Sequence, residues 1–106
     1  MGRIAASADV FRAIADPTRR AILDRLRGGR APVNALAAEF EQSRPAISKH
    51  LRVLREARLV TETQVGRQRL YALDPRPLAK AAGWLEGYRS FWQHNLNSLK
   101  RYLEES

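Results

Sequence analysis

The spacing of apolar residues along the first half of the chain predicts four short helices. Apolar side chains recur there at intervals of three and four residues, so they fall on one face of a helix. The predicted helices cover residues 7–15, 17–27, 35–40 and 43–55. In the last of them, Ile47, Leu51 and Leu54 form the apolar face. These faces can share one hydrophobic core, so residues 1–106 are predicted to form a single domain.

The residues at the helix ends support this assignment. Asp16 and Pro17 suit the N-cap and the first turn of the second helix, and Gly28 suits its end. Asn34 is the predicted N-cap of the third helix and Ser43 that of the fourth. Two short helices joined by a tight turn, the second of them amphipathic and basic, form a helix-turn-helix pattern.

The hydrophobic pattern changes to a strand-like alternation after the fourth helix. Residues 59–64 and 69–73 predict two strands, and Gly66 between them supplies the positive φ of a tight hairpin turn. A hairpin that directly follows a helix-turn-helix is a wing. Arg67 and Arg69 make its tip basic, so that it can reach a minor groove or a phosphate.

Residues 78–103 continue as one long helical pattern. Leu78, Leu85, Trp92 and Leu99 recur every seven residues, which is the spacing of a helix–helix seam. Gly83 and Gly87 weaken the helix locally, so we expect a bend or a close approach of another helix there. The predicted fold is therefore mainly α with a small β-hairpin, a winged helix-turn-helix of order α-α-α-α-β-β-α. Residues 7–73 form its helices and wing, and residues 78–103 form a C-terminal dimerisation helix.

The seam residues are flanked by further aromatic side chains, which exceed what one small core needs. We interpret Trp84, Tyr88, Phe91 and Trp92 as the core of a dimer interface. The alternative is an effector pocket, in which this aromatic group binds a small hydrophobic molecule.

Net charge adds a class of partner to this picture. The 106 residues carry a formal net charge of +8, and residues 41–73 hold seven basic and three acidic side chains. This concentration of charge around the fourth helix and the wing predicts double-stranded DNA as the partner. The N-terminal residues lack a signal-peptide core and no apolar run has the length of a membrane span. We therefore expect a cytoplasmic protein without membrane partners, nucleoid-associated when bound to DNA.

The exposed face of the fourth helix carries the main candidate DNA contacts. Ser48, Lys49 and Arg52 lie opposite the apolar face, where they suit guanine edges or phosphates. His50 is interpreted as structural or phosphate-binding rather than as a switch. The full candidate set is Gln42, Ser43, Arg44, Pro45, Ala46, Ser48, Lys49, His50, Arg52, Arg67 and Arg69. A winged-helix module that docks an acidic protein is the alternative for the same basic face.

Two arginines at the start of the second helix require a separate explanation. Arg19 and Arg20 lie at the end of the helix where the dipole disfavours cations. We interpret them as paired with acidic neighbours such as Asp16, and phosphate binding is the alternative.

Three stretches resemble the ArsR family of bacterial winged helix-turn-helix repressors. They are ADPTRRAILDRL at 15–26, SRPAISKHLRVLREARLV at 43–60 and VGRQRLYAL at 65–73, and residues 84–105 resemble its metal-independent, autorepressor-like branch. The resemblance implies a homodimer formed by the first and last helices, and operator binding that represses transcription. It implies the dimerisation residues Phe11, Leu85, Tyr88, Trp92, Leu96, Leu99 and Tyr102.

One residue departs from the family pattern. Arg58 stands where the family usually has Gly after the recognition helix. If the backbone keeps a left-handed turn there, an arginine costs roughly 1 kcal/mol. The alternative is a reshaped helix end.

The residue types also exclude several chemistries. The chain has no Cys, whereas metal-responsive relatives carry paired Cys on the third helix or Asp/His/Glu sets on the last one. His94 has no partner at ligand spacing in the last helix, so neither a metal nor another cofactor is predicted. His50 and His94 lie in separate helices and no nucleophile–base set appears, so an enzyme is not predicted.

Overall fold

The computed structural model describes residues 9–105, apart from the side chain of Leu99. Residues 7 and 8 of the predicted first helix lie outside the described residues. The helices are α1 (9–14 of the described residues), α2 (Pro17–Leu26), α3 (Val33–Glu39), α4 (Arg44–Glu56), α5 (Leu78–Glu86) and α6 (Arg89–Glu105). The strands are β1 (Ala31–Pro32), β2 (Val60–Val65) and β3 (Gln68–Leu73). The fold is thus mostly helical with one small antiparallel sheet, as predicted.

Side-chain caps start two of the helices as the sequence predicts. Asp16 accepts a hydrogen bond of 2.9 Å from the backbone N–H of Arg19, and Ser43 Oγ accepts one of 3.2 Å from Ala46. The predicted cap of α3 is wrong, because the helix begins at Val33 and its N-cap is Pro32 rather than Asn34. Pro32 is extended, at φ −79° and ψ 159°, since it still belongs to a strand.

That strand, β1, adds a third member that the sequence pattern does not predict. The sheet order is β1-β3-β2, and Ala31 lies opposite Tyr71 while Pro32 lies opposite Leu70. A two-residue strand is too short to show an alternating pattern. A proline at the sheet edge is tolerated, because it has no N–H to donate to a ladder.

The core lies where α2, α3 and α4 meet the start of β2. Its fully buried large side chains are Ile22, Leu36, Ile47, Leu51, Leu54, Leu59 and Val60. The predicted apolar face of α4 is confirmed, since three of its residues are in this set. The buried face fixes which side of α4 remains exposed.

The predicted C-terminal helix is divided in two. Helix α5 ends at Glu86 and α6 begins at Arg89, with Gly87 and Tyr88 in a turn between them. Their N–H groups donate to Trp84 and Leu85, three residues back, so the α-helical bonding is interrupted. A break at a glycine is the expected consequence of its low helix propensity. Gly83, the other predicted weak point, remains helical.

Candidate nucleic-acid interface

A tight turn sets the position of α4 relative to α3. Glu41 has φ +52°, and its N–H donates to Ala38 over 3.3 Å. The N–H of Gln42 donates to Ala37 over 3.1 Å. These two bonds form a Schellman motif, which satisfies the last carbonyls of α3 before the chain enters α4.

Helix α4 buries one face and exposes a basic one. Ile47, Leu51 and Leu54 are at most 1% exposed. On the other side a shallow concave surface is lined by Pro45, Ala46, Ser48, Lys49 and Arg52, all of them predicted site residues. The structure therefore brings together the central part of the predicted set on one solvent-facing helix surface. A helix that presents such a face fits the width of a DNA major groove.

The wing lies beside this face and encloses a cleft with it. Arg44 and Ser48 of α4 line one wall, and Arg67 and Arg69 of the wing line another, around about 380 Å³. Gln68 also lines the cleft and was not predicted, because a polar strand residue next to a turn gives no distinctive pattern. The α4 surface and the wing thus form one continuous basic surface.

The cations of this surface divide into two groups. Four of them have no side-chain hydrogen bond or ion pair within residues 9–105: Arg44, Lys49, Arg52 and Arg67. Arg69, by contrast, donates from Nη1 to Glu62 Oε1 over 3.0 Å. The charged groups of the four residues without partners can therefore bind phosphate or base oxygens, and no contact within the described residues has to break.

Glu62 is the centre of a polar cluster between α4 and the wing. Its Oε2 accepts from Arg55 Nη1 over 2.5 Å and from the Tyr71 hydroxyl over 3.2 Å, while Oε1 accepts from Arg69. Partial burial, and next the adjacent Glu62 charge, raise the pKa of Tyr71, so its hydroxyl remains a donor. No local sequence pattern predicts this cluster, because its members lie on three different elements.

His50 and the two arginines of α2 form contacts inside the protein. His50 Nδ1 is 3.5 Å from Arg19 Nη1 and 3.9 Å from Asp16 Oδ2. Arg19 Nε donates to the carbonyl of Ala13 over 2.8 Å, and Arg20 Nη1 donates to that of Ile14 over 2.9 Å. Neither guanidinium group forms the expected direct ion pair with Asp16, since both bind the carbonyls that end α1.

Asp16 instead caps α2 through its carboxylate. The Arg19 N–H, with the positive Arg19 side chain contributing less, lowers the pKa of Asp16. These contacts support the structural interpretation of His50, Arg19 and Arg20 over the phosphate-binding one. They also connect α1, α2 and α4 at one point.

Of the two alternatives at Arg58, the structure has the left-handed turn. Arg58 has φ +63°, and its N–H donates to Arg55 while that of Leu59 donates to Leu54, both over 2.9 Å. This is a second Schellman motif, at the end of α4.

An apolar surface runs along α5 and α6. Phe11 of α1 packs edge-on against Trp84 with ring centroids 5.6 Å apart, and Trp84 packs against Tyr88 at 5.1 Å. Of the predicted dimerisation residues, Leu85, Tyr88, Leu96 and Tyr102 are 40–70% exposed, Phe11 and Trp92 are half-buried, and the side chain of Leu99 lies outside the described residues.

The described residues lack two other kinds of feature, a metal-binding cluster and a membrane-spanning helix. Residues 9–105 contain no group of three or more His, Cys, Asp or Glu side chains placed to hold a metal ion. None of the described helices has the length and apolarity needed to cross a membrane.

The known proteins that this chain resembles are helix-turn-helix transcriptional regulators. A family profile described as a helix-turn-helix domain matches residues 14–63. The chain is 42% identical over 94 residues to the HTH-type transcriptional regulator Rv2034 of Mycobacterium tuberculosis, covering 89% of this chain and 85% of that protein. It is 39% identical over 77 residues to the transcriptional repressor SdpR of Bacillus subtilis, covering 73% and 86%. A solved ArsR-like transcriptional regulator from Rhodococcus sp. RHA1 superposes with a TM-score of 0.73 at 35% identity, covering 96% of each chain.

Proposed function

Because the chain belongs to the ArsR family of winged helix-turn-helix transcriptional regulators, we propose that it represses transcription as a homodimer bound to an inverted-repeat operator. The family consists of DNA-binding regulators and not of enzymes.

The exposed basic face of α4 is the observation that carries this proposal. Its apolar face is fixed in the core, so the helix can enter a major groove only with Ser48, Lys49 and Arg52 leading. Lys49 and Arg52 suit guanine O6 and N7 or adjacent phosphates, and Ser48 suits either partner. Pro45 and Ala46 suit apolar contact with a thymine methyl group.

Phosphate contacts would hold α4 in register. Arg44 begins the helix and Arg67 is at the tip of the wing, so the two can bind a strand that passes through the cleft between them. Gln42 and Ser43 precede the first turn of α4 and can donate to the same strand. Arg69 binds Glu62, and His50 contacts Arg19 of α2. Both are therefore weaker candidates for direct contact with DNA than the sequence pattern indicates.

The apolar surface of α5 and α6, with Phe11 of α1, supports homodimerisation. Side chains such as Leu96 and Tyr102 are 60% and 70% exposed, which is unfavourable unless a second copy covers them. A two-fold axis between copies predicts half-sites about 10 bp apart, or a multiple of that. We propose that the dimer acts in the cytoplasm, associated with the nucleoid when bound.

The decisive experiment is a gel shift with DNA from upstream of the protein's own gene. Lys49→Ala with Arg52→Ala should abolish specific retardation while sedimentation still shows a dimer. The matched control is Arg27→Ala with Lys80→Ala, which removes the same two charge types from exposed positions on other parts of the fold. Normal operator affinity in the first double variant would disprove the assignment of this face.

Salt dependence provides a second measurement on the same complex. The four cations of the α4 and wing surface that have no partner within residues 9–105 give eight in a dimer. If all eight neutralise phosphates, log K should fall with log salt with a slope of about −7. A slope near zero would show that these cations do not contact phosphates. No binding to the upstream DNA at low salt would instead favour the alternative of an acidic protein partner.

The alternative role for the aromatic surface is an effector site that gates DNA binding. The contacts among Phe11, Trp84 and Tyr88 place three rings side by side at the junction of α1 and α5. A thermal-shift screen with metal ions and hydrophobic metabolites separates the two cases. An effector-gated switch requires a compound that raises Tm and also releases the operator.

A further inference from the structure

Glu62 is an acidic residue in a surface otherwise suited to bind a polyanion. It lies on β2 of the wing, its side chain is 17% exposed, and it accepts hydrogen bonds from three side chains. Ser48 and Arg52, both proposed DNA contacts, line the same small cleft as Glu62. A carboxylate so close to bound phosphates opposes binding by charge repulsion. Its position therefore needs a reason other than affinity.

The bonds of Glu62 connect the recognition helix to the wing. Arg55 belongs to the last turn of α4, whereas Arg69 and Tyr71 belong to β3. The two oxygens divide the donors, with Oε1 bound to Arg69 and Oε2 to Arg55 and Tyr71. Hydrogen bonds between charged groups are short and roughly twice as strong as neutral ones, so this cluster restrains the wing relative to α4.

The same bonds keep two cations away from DNA phosphates. Arg55 and Arg69 are 52% and 64% exposed, so solvent and a bound strand can both reach them. Without the carboxylate, the two guanidinium groups would repel each other and become available to any phosphate. Contacts to phosphates increase affinity for every DNA sequence alike and carry no base information.

We propose that Glu62 is a positioning residue that sets the specificity of DNA binding. It fixes the wing against α4 and withholds Arg55 and Arg69 from sequence-independent contacts. It thereby lowers affinity for non-specific DNA while it favours the operator. This inference rests on the proposed function, since it presupposes an operator that the wild-type protein recognises.

Glu62→Gln tests this directly, because glutamine has nearly the same shape and lacks the charge. Affinity for random-sequence DNA should rise and affinity for the operator should fall. The ratio of the two should decrease about tenfold, similar to the loss of one correct base-pair contact. The non-specific salt slope should steepen by about 0.9 for each phosphate that a released arginine contacts.

Glu56→Gln is the matched control, since it removes one exposed carboxylate near the end of the same helix. It should raise affinity for both DNAs equally and leave the ratio unchanged. If Glu62→Gln behaves in the same way, Glu62 acts only through its charge and the inference is overturned. A parallel loss of Tm and of both affinities, with an unchanged salt slope, would assign Glu62 a purely structural role and also overturn it.

Arg55→Gln tests the bridge from the helix side, independently of how well Glu62→Gln folds. It should reduce the operator-to-random ratio and weaken hydroxyl-radical protection where the wing lies. Arg58→Gln removes the same charge three residues away and should reduce both affinities without changing the ratio. An equal ratio in the two arginine variants would contradict the inference.

These outcomes are distinct from a failure of the proposed function. If wild-type protein shows no preference for its own upstream DNA at any salt concentration, the proposed function is wrong and this inference fails with it. If the wild type binds its operator and the Glu62 and Arg55 variants match their controls, only the positioning role is wrong.

Discussion

Replacing Arg58 with glycine should stabilise the protein, because the backbone at this position is left-handed. Arg58 has φ +63°, and the Schellman bonds on either side of it hold the chain in this conformation. Leu54 and Leu59, which make the outer bond of the motif, are completely buried. The chain therefore cannot relax to negative φ without moving two core residues.

The expected gain is the difference between two opposing terms. Left-handed backbone costs an L-residue about 1–2 kcal/mol relative to glycine, because Cβ approaches the following carbonyl oxygen. Glycine gives back about 0.4–1 kcal/mol through the greater freedom of the unfolded chain. Arg58→Gly should therefore raise the free energy of unfolding by about 1 kcal/mol. In a domain of this size the midpoint temperature should rise by about 4–8 °C.

Urea unfolding at one fixed protein concentration measures this change, since the apparent stability of a dimer depends on concentration. Arg58→Ala is the control, because alanine removes the charge and keeps Cβ. It should change stability by less than about 0.5 kcal/mol. An equal gain in the alanine and glycine variants would show that charge, rather than backbone conformation, limits stability here. No gain in either would refute the strain argument.

Glu41 has φ +52° in the turn before α4, so Glu41→Gly should also stabilise by about 1 kcal/mol in urea unfolding, and Glu41→Ala should not. Leu96→Glu should give monomers by analytical ultracentrifugation without loss of helical circular dichroism, whereas Ser98→Glu, two residues along α6, should remain dimeric. The Arg76 side chain holds the pKa of Asp74 at about 2, below its ordinary 3.8. Because the folded-state pKa is lowered, the ionised Asp74 stabilises the fold fully above pH 3.8, and this stabilisation is lost as pH falls through about 2. Asp74→Asn should therefore lose less Tm between pH 4 and pH 2 than the wild type does.

The sequence predicted those elements whose signals are local. The N-caps at Asp16 and Ser43, the apolar face of α4 and the turn at Gly66 each depend on a few neighbouring residues, and all are present. Strand β1 depends on pairing with β3, about 40 residues away, so no local pattern reveals it. The same pairing keeps Pro32 extended and moves the start of α3, which is why the predicted cap at Asn34 is wrong.

The candidate site shows the same division between local and long-range information. Periodicity correctly places Ser48, Lys49 and Arg52 on one exposed face, because the opposite face is apolar. It cannot distinguish Arg67 from Arg69. Arg67 has no partner in the described residues, whereas Arg69 lies opposite Gln64 in the sheet and binds Glu62, two residues further along β2. Similarly, the spacing of His50 places it at the edge of the apolar face of α4 and says nothing about its partners. Only the packing of α2 against α4 brings Asp16 and Arg19 close to it.

Fewer of the 19 Lys and Arg residues are available to DNA than the composition indicates, because several are bonded inside the protein. Arg19 and Arg20 neutralise the carbonyl end of α1, and Arg55 and Arg69 share one carboxylate. Cations that are bonded internally release fewer counterions when DNA binds, because they already have a partner. Four of the cations that remain available, Arg44, Lys49, Arg52 and Arg67, lie on α4 and the wing tip, where position relative to the grooves decides the contact. Intramolecular pairing thus limits sequence-independent attraction at the same surface that reads sequence, and the Glu62 variants measure how much of the specificity arises in this way.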